Sequence, residues 1–280
     1  MMDQFSLRSN SIFALLCCLA ISLSPQSNPV YAQENDSGKL IVEADNSLEW
    51  RRQEQLYIAI GNAIAIQADI TLKADRIEAS YKDDDKQQGE TAGSDNSEGD
   101  INITRIKGSG GAELIRGDII ANADMIDYNM VDDRAVLTGG NPRVVSPREQ
   151  VTAKTSIVYN RSKREVVAEG NAAIMLNDGR YLKANRVFAT LNEEENDFTF
   201  VQAIGNAEVF SPKATGNQEA RADEIEYTKD NGIAILTGSV EMLEGANVMK
   251  GDRAEINLDT GVSSITSDSG RVGGVFTSTN

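Results

Sequence analysis

The sequence holds no histidine and only two cysteines. Without histidine there is no Ser-His-Asp triad, no Cys-His pair and no histidine-based metal site. Both cysteines, Cys17 and Cys18, fall within residues 1–32, so the rest of the chain forms no disulfide. Its core and hydrogen-bond ladders must hold it together. Aromatic residues make up 5% of the chain, too few to mark out an aromatic box. Positive charge is short as well, with 27 Lys and Arg against 43 Asp and Glu, a formal net charge of −16. Such a surface is ill suited to nucleic acid, whose phosphates need Lys and Arg. It is equally ill suited to anionic membrane. Solubility is the plain reason for the acidity.

Long apolar runs are missing except one. Ile12 to Leu23 is interrupted only by Ser22 and is followed by Pro25, Pro29 and the small-residue site Val30-Tyr31-Ala32. The run falls short of the roughly 20 residues a spanning helix needs. Residues 1–32 therefore read as a secretory signal cleaved after Ala32, so the mature chain is expected to be exported. A membrane anchor is the alternative. Ala14-Leu15-Leu16 ahead of the cysteines lacks the small residue that lipidation requires. Residues 33–39 read as a flexible lead-in, 40–265 as one β domain and 266–280 as a tail.

What the chain has in quantity is repetition. Ala74-Asp75-Arg76-Ile77-Glu78-Ala79 returns as Ala123-Asp124-Met125-Ile126-Asp127-Tyr128 and as Ala222-Asp223-Glu224-Ile225-Glu226-Tyr227. Looser copies are centred on Asn46, Thr155, Asn185 and Asp252. Between copies lies a glycine followed by alternating apolar residues, as in Gly61-Asn62-Ala63-Ile64, Gly170-Asn171-Ala172-Ala173, Gly205-Asn206-Ala207-Glu208 and Gly238-Ser239-Val240-Glu241. The spacing is about 30 residues except for one long gap. That gap contains residues 82–100, polar, acidic and Gly/Ser-rich, which read as a disordered insertion.

The repeats have strand chemistry. Leu56-Tyr57-Ile58-Ala59-Ile60 and Phe198-Thr199-Phe200-Val201-Gln202 alternate with period two. Turn residues such as Asp178-Gly179 and Lys229-Asp230-Asn231-Gly232 separate the runs, which implies antiparallel neighbours. Leu72 and Ala74 share one parity, whereas Ile77 and Ala79 share the other, so a bulge or corner at Asp75 must flip the register. Repeating that corner gives an open antiparallel β-jelly-roll, a V-shaped two-sheet repeat. Asp75 and its equivalents read as corner residues.

Other chemistry is thin. The acids are dispersed through turns and strand exteriors, not paired for glycoside cleavage. Gly108-Ser109-Gly110-Gly111 leads into a strand, not into Lys-Ser/Thr and a helix, so it is a turn and not a phosphate loop. Asp83-Asp84-Asp85 and the acidic run at 95–100 lack calcium-ligand spacing. No cofactor and no metal site is expected.

The Gly-Asn elements and the Leu72-Lys73-Ala74-Asp75-Arg76-Ile77 and Ala222-Asp223-Glu224-Ile225-Glu226-Tyr227 segments resemble the OstA-like family of LptA, LptC and the LptD N-terminal domain. The resemblance runs from about Leu40 to Leu258. It implies a periplasmic lipopolysaccharide-binding bridge between inner and outer membrane, without enzymatic activity. Its partners would be lipopolysaccharide, an LptC-like inner-membrane protein, an LptD-like outer-membrane protein and further copies joined head to tail. On this reading an apolar trough is lined by Leu48, Trp50, Ile58, Ile60, Ile64, Ile66, Leu72, Ile77, Ile126, Tyr128, Ile157, Tyr159, Ile174, Val187, Phe198, Phe200, Ile225 and Tyr227. These residues could equally fill a closed core. Partner-binding edge strands are expected at Leu40, Ile41 and Val42 and at Val272, Val275 and Phe276. The rival readings are an anchored LptC-like member, a repeat scaffold without lipid, and a polysaccharide-acting β-helix enzyme.

Overall fold

The computed structural model describes residues 40–83, 101–193, 198–212, 217–257, 260, 262–268 and 270–276. The expected signal, the lead-in and residues 84–100 of the expected insertion lie outside them. The described chain is all-β, with a single 3-10 turn at Arg52–Glu54. Its strands are β1 Ile41–Glu43, β2 Ser47–Arg51, β3 Leu56–Gln67, β4 Ile70–Asp83, β5 Ile101–Arg116, β6 Ile119–Asn129, β7 Arg134–Thr138, β8 Arg143–Val145, β9 Glu149–Thr152, β10 Ser156–Asn160, β11 Glu165–Leu176, β12 Tyr181–Leu191, β13 Phe198–Ser211, β14 Gln218–Thr228, β15 Ile233–Glu244, β16 Asn247–Asn257, β17 Ser263–Thr266 and β18 Gly273–Val275.

The strands form two compact units. Among the described residues, the N-terminal unit comprises 40–144 with 158–162, and the C-terminal unit 145–157 with 163–276. In the first, β1 and β2 both pair antiparallel with β3, and β3 to β7 continue as a meander. In the second, β9 pairs with β11, β11 to β16 run as a meander, and β17 and β18 both pair with β16. Two strands reach beyond their expected limits. β4 runs two residues into the expected insertion, through Asp83, and β18 lies within the expected tail. Val248 and Val275 stand opposite each other there, so this part of the tail is held by ladder pairing.

The two sequence motifs prove to be two sides of one device. In the β3–β4 pair the register shifts between Ile60/Arg76 and Ala63/Ala74, so Gly61 and Asn62 oppose the single residue Asp75. The same shift recurs at Ser109/Ala112, Glu169/Ala172, Ile204/Ala207 and Thr237/Val240. One strand thus carries an extra residue, and its neighbour flips face at the Asx position. The bulge residues adopt positive φ, 85° at Gly170 and 48° at Asn171, a region that glycine and asparagine reach at least cost. The Asx side chain of the preceding strand packs directly over the bulge glycine. A Cβ on Gly238 would lie 2.2 Å from Asp223 Oδ2. At the last copy the Ser267 hydroxyl and the Asp268 N–H donate to Asp252 Oδ2, at 2.6 and 2.9 Å.

Candidate functional site

Successive strand residues face opposite sides, so the pairing registers assign every side chain to a face. In the N-terminal unit, Trp50, Tyr57, Ala79, Ile106 and Tyr128 stand opposite one another across five strands. Leu48, Ala59, Ile77, Gly108, Ile126 and Leu137 form the next row. Beyond the bulge come Ala63 with Ala74, Ala112 with Ala123, and then the row Ala65, Leu72, Leu114 and Ala121. This inner face is apolar throughout. Its smallest residues, Ala63, Ala74, Ala112 and Ala123, flank the bulge, where the backbone bends and large side chains would collide.

The C-terminal unit repeats the arrangement. Val187 lies between Ala168 and Ala203, Ile225 between Ala203 and Leu236, and Tyr227 between Val201 and Ala234. Ile174 lies between Val151 and Leu182. Phe198 faces Leu191, and both are buried. The expected residues Leu72, Ile77, Ile126, Ile174, Val187, Phe198, Ile225 and Tyr227 therefore belong to inner faces and are buried. Ile157 is buried and Tyr159 half-buried on the same side of β10, and Tyr128 is half-buried. Leu48 and Trp50 point inward from the edge strand β2 and remain 60% and 51% exposed.

Five expected residues stand elsewhere. Ile58, Ile60, Ile64 and Ile66 pair with Glu78, Arg76, Lys73 and Thr71 and so share the parity of the charged side, although Ile58 is only 1% exposed and the other three are half-buried. Phe200 pairs with Thr190 and Thr228 and touches Phe188 at 6.3 Å, also outside. The cause is the size rule at the bulge. On β3 the crease-facing positions are alanines 59, 63 and 65, and the larger isoleucines fall on the other parity. A reading weighted by side-chain size takes the isoleucine parity there. It also passes over Tyr57, Leu114, Leu182, Val201 and Leu236. Their signal was available, because each alternates with a charged or polar neighbour or stands two residues from a motif alanine.

The outer face is laced with ions. Lys73 Nζ lies 3.2 Å from Glu113, Arg186 Nε 3.3 Å from Glu169, and Arg221 3.5 and 3.7 Å from Glu208 and Glu241. Such exposed pairs contribute at most about 1 kcal/mol each, so they mark a wetted surface more than they stabilise it. At the first edge the Trp50 indole N–H donates to the Tyr81 hydroxyl at 2.7 Å, and its ring stacks on Tyr57 with centroids 5.7 Å apart. The Arg52 guanidinium covers Trp50 at 3.9 Å. The Tyr128 hydroxyl donates to Asp133 Oδ1 at 2.7 Å. Burial, and next that hydrogen bond, push its pKa up to about 12.

In the N-terminal unit a cavity of ≈30 Å³ remains. It lies between Leu40, Ala65, Gln67, Ile70, Leu72 and Leu114 on one side of the bulge column and Ile106, Tyr128 and Met130 on the other. That is space for about one water. An alkyl chain enters only if the two sides part. Among the described residues, no group of three or more His, Cys, Asp or Glu is placed to hold a metal ion.

Comparison with known proteins gives one family. The model described as LptA/(LptD N-terminal domain) LPS transport protein matches twice, over residues 41–165 and 150–262. Among solved structures, the chain is similar to LptH of Pseudomonas aeruginosa, described as the LptA homologous periplasmic component of the conserved lipopolysaccharide transport device. That match has 14% identity and a TM-score of 0.40, and covers 46% of this chain and 95% of LptH. No curated protein matches the chain.

Proposed function

The chain belongs to the family of lipopolysaccharide-transport proteins that comprises LptA and the LptD N-terminal domain, and from that premise we propose that it is a periplasmic lipid-carrying bridge without catalytic activity. Each unit is then an OstA-like jelly-roll whose two sides, hinged at the bulge column, close over acyl chains. One observation carries the reading: an inner face that is apolar around the bulge column, backed by a charged outer face, repeated in both units.

Transfer of a lipid chain into water costs about 0.8 kcal/mol per CH₂, so an unshielded lipid does not cross an aqueous gap. Side chains on the inner face replace water around the chains, while the sugars stay wet. The acidic surface repels lipid phosphates laid against it, which favours headgroups that project outward. Transport on these terms needs a groove that opens and no bond chemistry.

The edge strands supply the docking points. Among the described residues, β1 and β2 pair only with β3, and β17 and β18 only with β16. Ile41 at one edge and Val272, Val275 and Phe276 at the other are 44%, 47%, 65% and 72% exposed. Such edges template pairing with strands of the same fold. Leu40 and Val42 extend the first edge. LptC-like and LptD-like partners and further copies of the chain fit there.

The test is purification of the chain from envelope-bearing cells under mild conditions, with mass spectrometry of what accompanies it. Bound lipopolysaccharide or its lipid moiety is the expected result. Protein that is folded, drawn from cells with active transport and free of lipid would leave a scaffold as the better account.

A further inference from the structure

One carboxylate interrupts the chemistry of the inner face in the C-terminal unit. Along β9 and just past it, Glu149, Val151 and Ala153 are 4%, 6% and 3% exposed, while Gln150 and Thr152 between them are half-buried. Val151 stands opposite Ile174 and Glu149 opposite Leu176. Glu149 therefore occupies an inward position that an aliphatic residue would fill by the same pattern. It sits at the turn end of its strand, away from the bulge.

Its two oxygens differ. The Ser146 hydroxyl donates to Oε1 at 2.7 Å, and the same Ser146 oxygen accepts the backbone N–H groups of Arg148 and Glu149 at 3.3 and 3.2 Å. Ser146 has one proton, and it is spent on Oε1. Among the described residues, Oε2 is buried and has no hydrogen-bond partner. A buried acceptor left unmatched is costly, more so when it is ionised. A neutral aliphatic at this site would remove the cost, so an acid here calls for a donor that arrives from elsewhere. The turn-end row continues in polar residues, with Ser211 opposite Gln218 and Gln218 opposite Glu244. The inner face is thus apolar near the bulge and hydrogen-bonding near the turns, a gradient that matches an amphiphile with its chain ends deep and its polar linkage near the rim.

We infer that Glu149 Oε2 is a subsite for a hydrogen-bond donor, a hydroxyl or amide N–H, carried on the guest lipid's chain close to its headgroup. The inference rests on the reading of the inner face as lipid-binding, which it deepens. It makes the C-terminal unit selective for donor-bearing chains over plain ones.

The experiment uses the full chain and two neutral probes that differ by one group, methyl 3-hydroxytetradecanoate and methyl tetradecanoate, with binding followed by calorimetry. The wild type is expected to bind the hydroxylated ester about tenfold more tightly, the factor given by one hydrogen bond of about 1.4 kcal/mol. Glu149→Met, close in shape and without an acceptor, is expected to abolish that preference. Glu149→Gln, whose single amide oxygen is taken by the Ser146 hydroxyl while its NH2 replaces Oε2, is expected to lose the preference too, and an undiminished preference in it would overturn the subsite should the Met variant fail to fold. Equal binding of both esters by the wild type, or an undiminished preference in a folded Glu149→Met protein, would overturn the Glu149 subsite alone. Binding of neither ester would instead overturn the lipid-binding reading beneath it.

Discussion

At the scale of single residues the fold depends on contacts between an Asx or Thr side chain and a bulge glycine. At Gly170 a Cβ would lie 2.9 Å from the backbone nitrogen of Thr155 and 2.3 Å from its hydroxyl oxygen, at a φ of 85°. The backbone nitrogen cannot rotate away. Gly170→Ala should therefore cost about 2–4 kcal/mol, the sum of left-handed strain and a forced backbone shift. Gly117 also has positive φ, 54°, but nothing within 4 Å of an added Cβ. Gly117→Ala should cost only about 1 kcal/mol. Urea denaturation of the two variants reads the difference directly, and equal costs would mean that the close approach at the bulge does not matter.

Tyr128 offers a second residue-scale check. Its pKa is raised from 10 to about 12, chiefly by burial and next by its hydrogen bond to Asp133. The neutral phenol is thus favoured in the folded state. Between those values the unfolded chain releases a proton that the folded one keeps, so stability falls as pH rises through the window from 10 to 12. Below 10 the contribution is whole. Tyr128→Phe should flatten part of that loss in denaturation curves taken across the window. An unchanged slope would show that other groups govern the alkaline limb.

At the scale of elements, much was legible before any coordinates. The opposite parities of Leu72 and Ile77 placed the corner at Asp75, and the registers put it there. Alternation and turn residues marked the long strands. The face of β3 was not legible by the same means. Its sequence alternates isoleucine with alanine on both sides of Gly61-Asn62, so periodicity alone leaves two choices, and hydrophobic size favours the parity that pairs with Glu78, Arg76 and Lys73. The deciding factor is close approach at the crease, a tertiary constraint that sequence period does not carry. An edge strand was expected around Val272, Val275 and Phe276, but its partner was not legible: Gly273 and Gly274 carry no strand signal, and pairing with β16 is what makes them β18. The rule about alanine can be tested. Ala63 is fully buried, and Ala63→Leu should destabilise by about 1–3 kcal/mol or more through overpacking. Ile64→Thr, one residue along on the outer face, should cost less than Ala63→Leu in thermal melts. The reverse order would assign the faces the other way round.

At the scale of the whole molecule, two family matches overlap at residues 150–165, close to where the chain divides into its two compact units. Each unit has its own bulge column, its own inner face and one strand set with an unpaired edge. On the proposed reading each unit is a separate shelter for lipid, and the net charge of −16 keeps the outside in water.

The central claim is that lipid occupies the inner faces and not the outer ones. Photo-crosslinking residues placed singly at Ile77, Ile126 and Ile225, and for comparison at Arg76, Glu78, Glu224 and Glu226, test it in cells with transport running. The pairing registers put the first three inside and the last four outside. Strong lipopolysaccharide adducts at the isoleucines and weak ones at the charged positions are the predicted result. Equal labelling at both sets, in folded protein with its partners present, would contradict it.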